Sequence, residues 1–261
     1  MAQLPAGYVP LIERLLGWLR RTPREIDPTL WDTTCRRAAW LQQLDPARRE
    51  RLRALAARFL HEKTISPAAE LQLEDADGVL LAALCCLPLL ELGEIGLRGW
   101  SQLIVYPEAF RVHRSQVDAA GVLHEWDDAL IGESWDSGPL ILSWADIQAD
   151  IADPEAGFCV AVHEMAHKID ALDGAIDGTP PLPRPWQKQW AADFQQAYDA
   201  FCAEVDQGRE TLIDPYASEA PEEFFAVVSE YHFSAPALLA REMPAVAAHL
   251  LRFYGPSPLT R

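Results

Sequence analysis

The sequence predicts an α+β fold that is predominantly helical, with a small sheet beside one central helix. Three observations predict it. Most of the chain repeats apolar residues at intervals of three and four between Asp, Pro and Gly punctuation, the pattern of amphipathic helices. Only two short stretches, Gln102 to Tyr106 and Pro139 to Trp144, read as strands. Finally, Cys159 to Gly174, C-V-A-V-H-E-M-A-H-K-I-D-A-L-D-G, sets two histidines and a glutamate within one helical stretch.

Residues 1–27 read as an N-terminal helical segment, amphipathic from Tyr8 to Arg21 and ended by a Thr-Pro-Arg turn, and 28–261 read as a single domain. Asp27-Pro28 and Asp45-Pro46 are helix-start signals, because aspartate caps free N–H groups and proline tolerates the first helical position. Pro46 to Glu62 is strongly helical, with Leu52, Leu55, Phe59 and Leu60 apolar among arginines that form a solvated face. Asp77 to Leu92 is a buried helical segment bent near Pro88. Val112 to Ser137 reads as a polar loop or irregular hairpin, with His113 and His124 as surface residues.

The central helix is expected to start at Asp153 as N-cap, with Pro154 first and Glu155 at the positive end of the dipole, and to stop at Gly174. Phe158, Val162, Met165, Ile169 and Leu172 give it a core-facing stripe. The histidines lie on a neighbouring face that also carries Cys159 and Asp170. Asp173 to Pro185 is loop, Trp186 to Asp206 helix ended by Gly208, and Pro221 to Phe233 a further helix. Pro236 and Pro244 divide the remainder into short helical pieces.

The H-E-x-x-H string is His163, Glu164 and His167. Residues four apart on a helix differ by only ~40° around its axis, so both imidazoles face one metal ion. Glu164 is placed to take a proton from water that the metal activates. A catalytic zinc takes three protein ligands and keeps one position open, so a third ligand is needed. Asp173 has the spacing of H-E-x-x-H-x-x-G-x-x-H/D enzymes, but Asp170 stands where those need a glycine turn. Glu223 and Glu230 share one face of the later helix but lie ~10 Å apart along it, so only one can ligate. Position favours Glu223, leaving Glu230 as a supporting residue. Tyr216, seven residues before Glu223, reads equally as an oxyanion donor or a packed aromatic. Asp170 is expected to orient an imidazole.

Composition bounds the rest. The 261 residues are 49% hydrophobic with nine tryptophans, which excludes a disordered chain. A net charge of −17 argues against direct binding to nucleic acid or an anionic membrane. Five cysteines with no C-x-x-C spacing read as reduced thiols. Without a signal peptide or a spanning segment, the sequence reads as soluble and cytoplasmic.

C-L-P-L-L-E-L-G (Cys86 to Gly93), I-V-Y-P (Ile104 to Pro107), G-P-L-I-L-S-W-A-D-I-Q (Gly138 to Gln148), H-E-M-A-H-K-I-D (His163 to Asp170) and F-A-V-V-S-E-Y-H-F-S-A-P (Phe225 to Pro236) together resemble the Mlc titration factor A family, the glucose-regulated metallopeptidases. The resemblance implies a gluzincin-like core related to the lethal-factor toxin catalytic domain. It implies one zinc per chain held by His163, His167 and Glu223, with Glu164 as general base and Tyr216 as the transition-state tyrosine. Aminopeptidase-like action on peptide substrates is implied, as is binding of an Mlc-like transcriptional repressor of glucose-uptake genes. The rival reading is a regulatory protein that sequesters a transcription factor around a purely structural zinc.

Overall fold

The computed structural model describes residues 25–108 and 138–260, with the backbone of 111–117 and 123–129. The segment from Tyr8 to Arg21 and the side chains of His113 and His124 lie outside the described residues. Helices α1 (Pro28–Cys35) and α3 (Pro46–Glu62) begin where the Asp-Pro pairs predict. Asp27 Oδ1 accepts the N–H groups of Thr29 and Leu30 at 2.9 and 3.0 Å, and Asp45 Oδ1 those of Ala47 and Arg48 at 2.9 and 3.0 Å. Between them, α2 (Ala39–Gln42) buries Trp40, whose Nε1 donates to the Phe233 carbonyl at 3.1 Å.

Helix α4 (Asp75–Cys86) starts two residues earlier than its apolar pattern, because Glu74 and Asp77 cap each other's backbone. Every residue from Val79 to Cys86 is buried. At Pro88 the α-helical ladder loses a donor, and the chain tightens into a 3-10 turn over Leu87–Leu89.

Three short strands form a parallel sheet, β1 (Thr64–Pro67), β2 (Gln102–Tyr106) and β5 (Leu140–Ser143), in the order β1-β2-β5. Leu103 pairs with Ile65 on one side and Leu140 on the other. Strand β5 is therefore an edge. The connection from β2 to β5 carries an antiparallel hairpin, β3 (Arg111–Val117) and β4 (Leu123–Ala129), which is the hairpin alternative expected there. Three elements have no counterpart in the sequence reading: the short helix α2, strand β1, and helix α5 (Trp144–Ala152), which Ser143 caps by accepting the Asp146 N–H at 3.1 Å.

The central helix, α6, runs Val160–Asp170, so the expected start at Asp153-Pro154-Glu155 is wrong. Residues 153–159 form a turn in which Gly157 adopts φ +99°, outside the helical region. Phe158, expected on the core stripe, is consequently 46% exposed. A 3-10 turn over Ala171–Asp173 continues the helix, and Gly174 ends it in the left-handed conformation as expected.

Helices α7 (Arg184–Asp206), α8 (Pro221–Ser234), α9 (Pro236–Glu242) and α10 (Pro244–Tyr254) complete the chain. In α8 every residue from Glu223 to Ser234 is buried, so this helix is core on all sides. It packs against α6, which also contacts α4, α5 and β5. Trp190 and Phe194 of α7 stack at 4.3 Å, and both rings lie against Phe225 of α8. Among the described residues no helix is long and apolar enough to cross a membrane.

This aromatic wall fixes α8. Phe225→Ala should therefore destabilise the fold by about 3–5 kcal/mol in denaturant titration. Leu251→Ala, at a site 53% exposed, should stay within about 0.5 kcal/mol.

Candidate metal centre

Helix α6 presents His163 and His167 from adjacent turns, and the first turn of α8 brings Glu223 against them. The two imidazole Nε2 atoms stand 3.2 Å apart. Glu223 Oε2 lies 3.2 Å from that of His163 and 3.5 Å from that of His167. Among the described residues this trio is the one His/Cys/Asp/Glu group close enough to hold a metal. Asp173, the rival third ligand, is exposed in the 3-10 turn and accepts the Ala175 N–H.

The donor set fits zinc. A tetrahedral ion with bonds of ~2.0–2.1 Å requires donor atoms roughly 3.3 Å apart, which is the observed spacing. Glu223 Oε2 is buried yet has no hydrogen-bond partner, an arrangement that is costly unless a cation completes it. Burial alone would raise the Glu223 pKa, but the two imidazoles beside it hold the carboxylate down at about 2. His163 shows the converse. Burial opposes its charged form, yet Glu230 and Glu223 on either side push its pKa above the ordinary imidazole value.

Glu230, two turns along α8 from Glu223, accepts from His163 Nδ1 at 2.8 Å through Oε1. With Nδ1 protonated, the Nε2 lone pair of His163 is turned toward Glu223. The second oxygen, Oε2, accepts the Cys159 N–H at 2.6 Å. Asp150 of α5 accepts the next N–H, that of Val160, at 2.8 Å. The free donors at the start of α6 are therefore capped by carboxylates from two other helices. Burial, despite that hydrogen bond, pushes the Asp150 pKa up to about 7, with the Glu230 charge adding to the rise. The sequence reading misses Asp150: in W-A-D-I-Q-A-D-I-A it looks like an ordinary helix-surface acid, and no local signal marks it.

Asp170 is fully buried, but it orients no imidazole. Its Oδ2 accepts the Gly178 N–H at 2.7 Å, and Oδ1 has no partner. One turn beyond His167, it faces the returning loop, and the imidazole-orienting carboxylate is Glu230.

Glu164 is partly buried and lies between His163 and His167 in sequence, and burial raises its pKa. Tyr216 sits in a 3-10 turn (Pro215–Ser218) whose start Asp214 caps through the Tyr216 N–H at 2.9 Å. Its ring centroid is 6.2 Å from that of His163. Burial, then the Glu223 charge, drives the phenol pKa up, so the hydroxyl keeps its proton. The long excursion between α6 and α8 thus folds back to bring both Tyr216 and Glu223 to the histidines. The thiols of Cys85, Cys86 and Cys159 are buried and shifted upward by burial, which leaves them inert.

The family described as glucose-regulated metallo-peptidase M90 matches residues 15–255. The chain is 37% identical to Mlc titration factor A of Escherichia fergusonii over 245 residues, 93% of this chain and 91% of that protein. It is 39% identical to Mlc titration factor A of Klebsiella pneumoniae over 224 residues, 85% and 84% of the two chains. The protein of the same name from Serratia proteamaculans is 38% identical over 224 residues, 85% of each chain.

Two outcomes follow for zinc binding. Glu230→Gln, which removes the charge behind His163, should weaken zinc about 10-fold or more in chelator competition while the fold melts cooperatively. Because a His163 pKa held above the ordinary imidazole value makes a proton compete with the metal for Nε2, zinc affinity should rise as pH is raised through and above the ordinary imidazole range. An affinity that is flat across that range would contradict the raised pKa of His163.

Proposed function

We propose, from the premise that this chain belongs to the glucose-regulated metallo-peptidase M90 family, that it is a zinc-dependent peptidase acting on short peptides in an aminopeptidase-like manner. The observation that carries this reading is the orphaned Glu223 Oε2 converging with two imidazole nitrogens beside a half-buried glutamate and a protonated phenol. A purely structural zinc would be closed by four protein ligands and would have no use for a neighbouring base.

Zinc held by His163, His167 and Glu223 would acidify a water molecule and offset charge on the substrate carbonyl. Glu164 accepts the proton of the attacking water and passes it to the leaving amine. Its raised pKa favours holding that proton between the two steps. Tyr216 donates its hydroxyl hydrogen to the carbonyl oxygen as negative charge develops there. Strand β5, an edge strand beside α6, offers backbone groups to an extended peptide and so aligns the scissile bond.

A second reading is favoured by the name of the relatives, Mlc titration factor A. On that reading the chain also binds an Mlc-like transcriptional repressor, on a surface that need not include the metal.

Glu164→Gln tests the first reading. It should retain about one zinc per chain yet lose roughly 10²-fold or more in peptide turnover. Tyr216→Phe should lower turnover by about 10²-fold with zinc content unchanged. Wild-type turnover in both variants would remove the peptidase reading. Retention of an Mlc-like repressor by the Glu164→Gln protein in a pull-down would support the second, and its absence from the wild-type protein would end it.

A further inference from the structure

Gly178 lies in the loop between α6 and α7, buried and with φ +78°. Its N–H is held by Asp170 Oδ2, so the loop is pinned to the same helix that carries both histidines. On its other side the glycine meets the start of α8. A Cβ added at 178 would stand 2.3 Å from the Pro221 carbonyl oxygen, 2.7 Å from its carbon and 3.1 Å from the Glu222 nitrogen. These are backbone atoms of the first helical turn and cannot rotate aside. Glu223 is the next residue, and it is only 5% exposed, so its side chain has no slack to absorb a shift of that turn.

We propose that Gly178 is a positioning residue for Glu223. It seats the first turn of α8 against α6 at the separation that lets the carboxylate join the two imidazoles. The chain of contacts runs from Asp170 to Gly178 to Pro221 and then to Glu223. It connects the two halves of the site without passing through a metal. The inference rests on the reading of Glu223 as a zinc ligand. It adds that the third ligand is placed by a loop glycine rather than by α8 packing alone.

The same loop contains a natural control. Gly174 also has positive φ, +92°, but an added Cβ there meets nothing within 4 Å. Gly174→Ala introduces only left-handed backbone strain, whereas Gly178→Ala introduces comparable strain plus a push on Pro221. Zinc dissociation constants would be measured by chelator competition for the wild-type, Gly174→Ala and Gly178→Ala proteins, with thermal melts of each. The visible spectrum of the cobalt(II)-loaded forms would be recorded alongside. Gly178→Ala should bind zinc about 10-fold or more weakly and alter the cobalt spectrum. Gly174→Ala should stay within about 2-fold of wild type.

Should Gly178→Ala fail to fold, Asp170→Ala cuts the same chain of contacts without adding atoms at Pro221. It should weaken zinc in the same direction, and Asp170→Asn, which keeps an acceptor oxygen, should recover most of the loss. Equal zinc affinities for the two alanine variants, or for Asp170→Ala and wild type where Gly178→Ala does not fold, would overturn the proposal while leaving the zinc site standing. A wild-type protein that binds no zinc would overturn both together.

Discussion

The Glu230 carboxylate is the contact on which the site depends. One oxygen holds the Nδ1 proton of His163 and the other caps the start of α6 at Cys159. A carboxylate at 6% exposure is costly unless its lone pairs are matched, and here each oxygen has a donor. The single side chain therefore fixes three things at once. It sets where α6 begins, which imidazole nitrogen keeps its proton, and how closely α6 and α8 approach.

That arrangement requires α8 to be an immovable support, and its composition supplies one. Phe224, Phe225, Val227, Val228 and Phe233 are all buried, and the rings of Trp190, Phe194, Phe253 and Tyr254 close around them. Glu223 and Glu230 stand two turns apart on the one face of this helix that looks toward α6. The packing energy of the aromatic faces offsets the burial of two acidic residues on the remaining face. Their different roles follow from height alone. Glu223 meets the Nε2 edges, and Glu230 reaches the opposite edge of the His163 ring.

The surrounding elements confine the site rather than act in it. Strand β5 and α5 lead directly into the turn before α6, so Asp150 is delivered to the Val160 N–H by a connection only a few residues long. On the far side, the loop after α6 returns through Asp170 and Gly178, and the later turn at Pro215–Ser218 sets Tyr216 near His163. Both ends of α6 are thus held by carboxylates, one set at its start and one at its finish.

The sequence by itself determined what depends on near neighbours along the chain. The Asp-Pro starts of α1 and α3, the ends of β2 and α3, and the pairing of His163 with His167 are all set within a few residues. So is the shared face of Glu223 and Glu230, because helical periodicity fixes which side chains stand together. The start of α6 was not legible, since Asp153-Pro154 carries the same local signal that succeeds at Asp27 and Asp45. There the winning cap comes from Glu230, 71 residues away, and the turn is forced at Gly157. The partner of Asp170 was equally hidden: its spacing from the histidines is helical, but the donor it meets belongs to a loop whose return path no periodicity encodes. Strand β1 and helix α5 went unread for a related reason, because each is defined by the sheet it joins or follows. Tertiary structure alone decided these points, because a buried charge takes whichever donor the packed fold brings within reach.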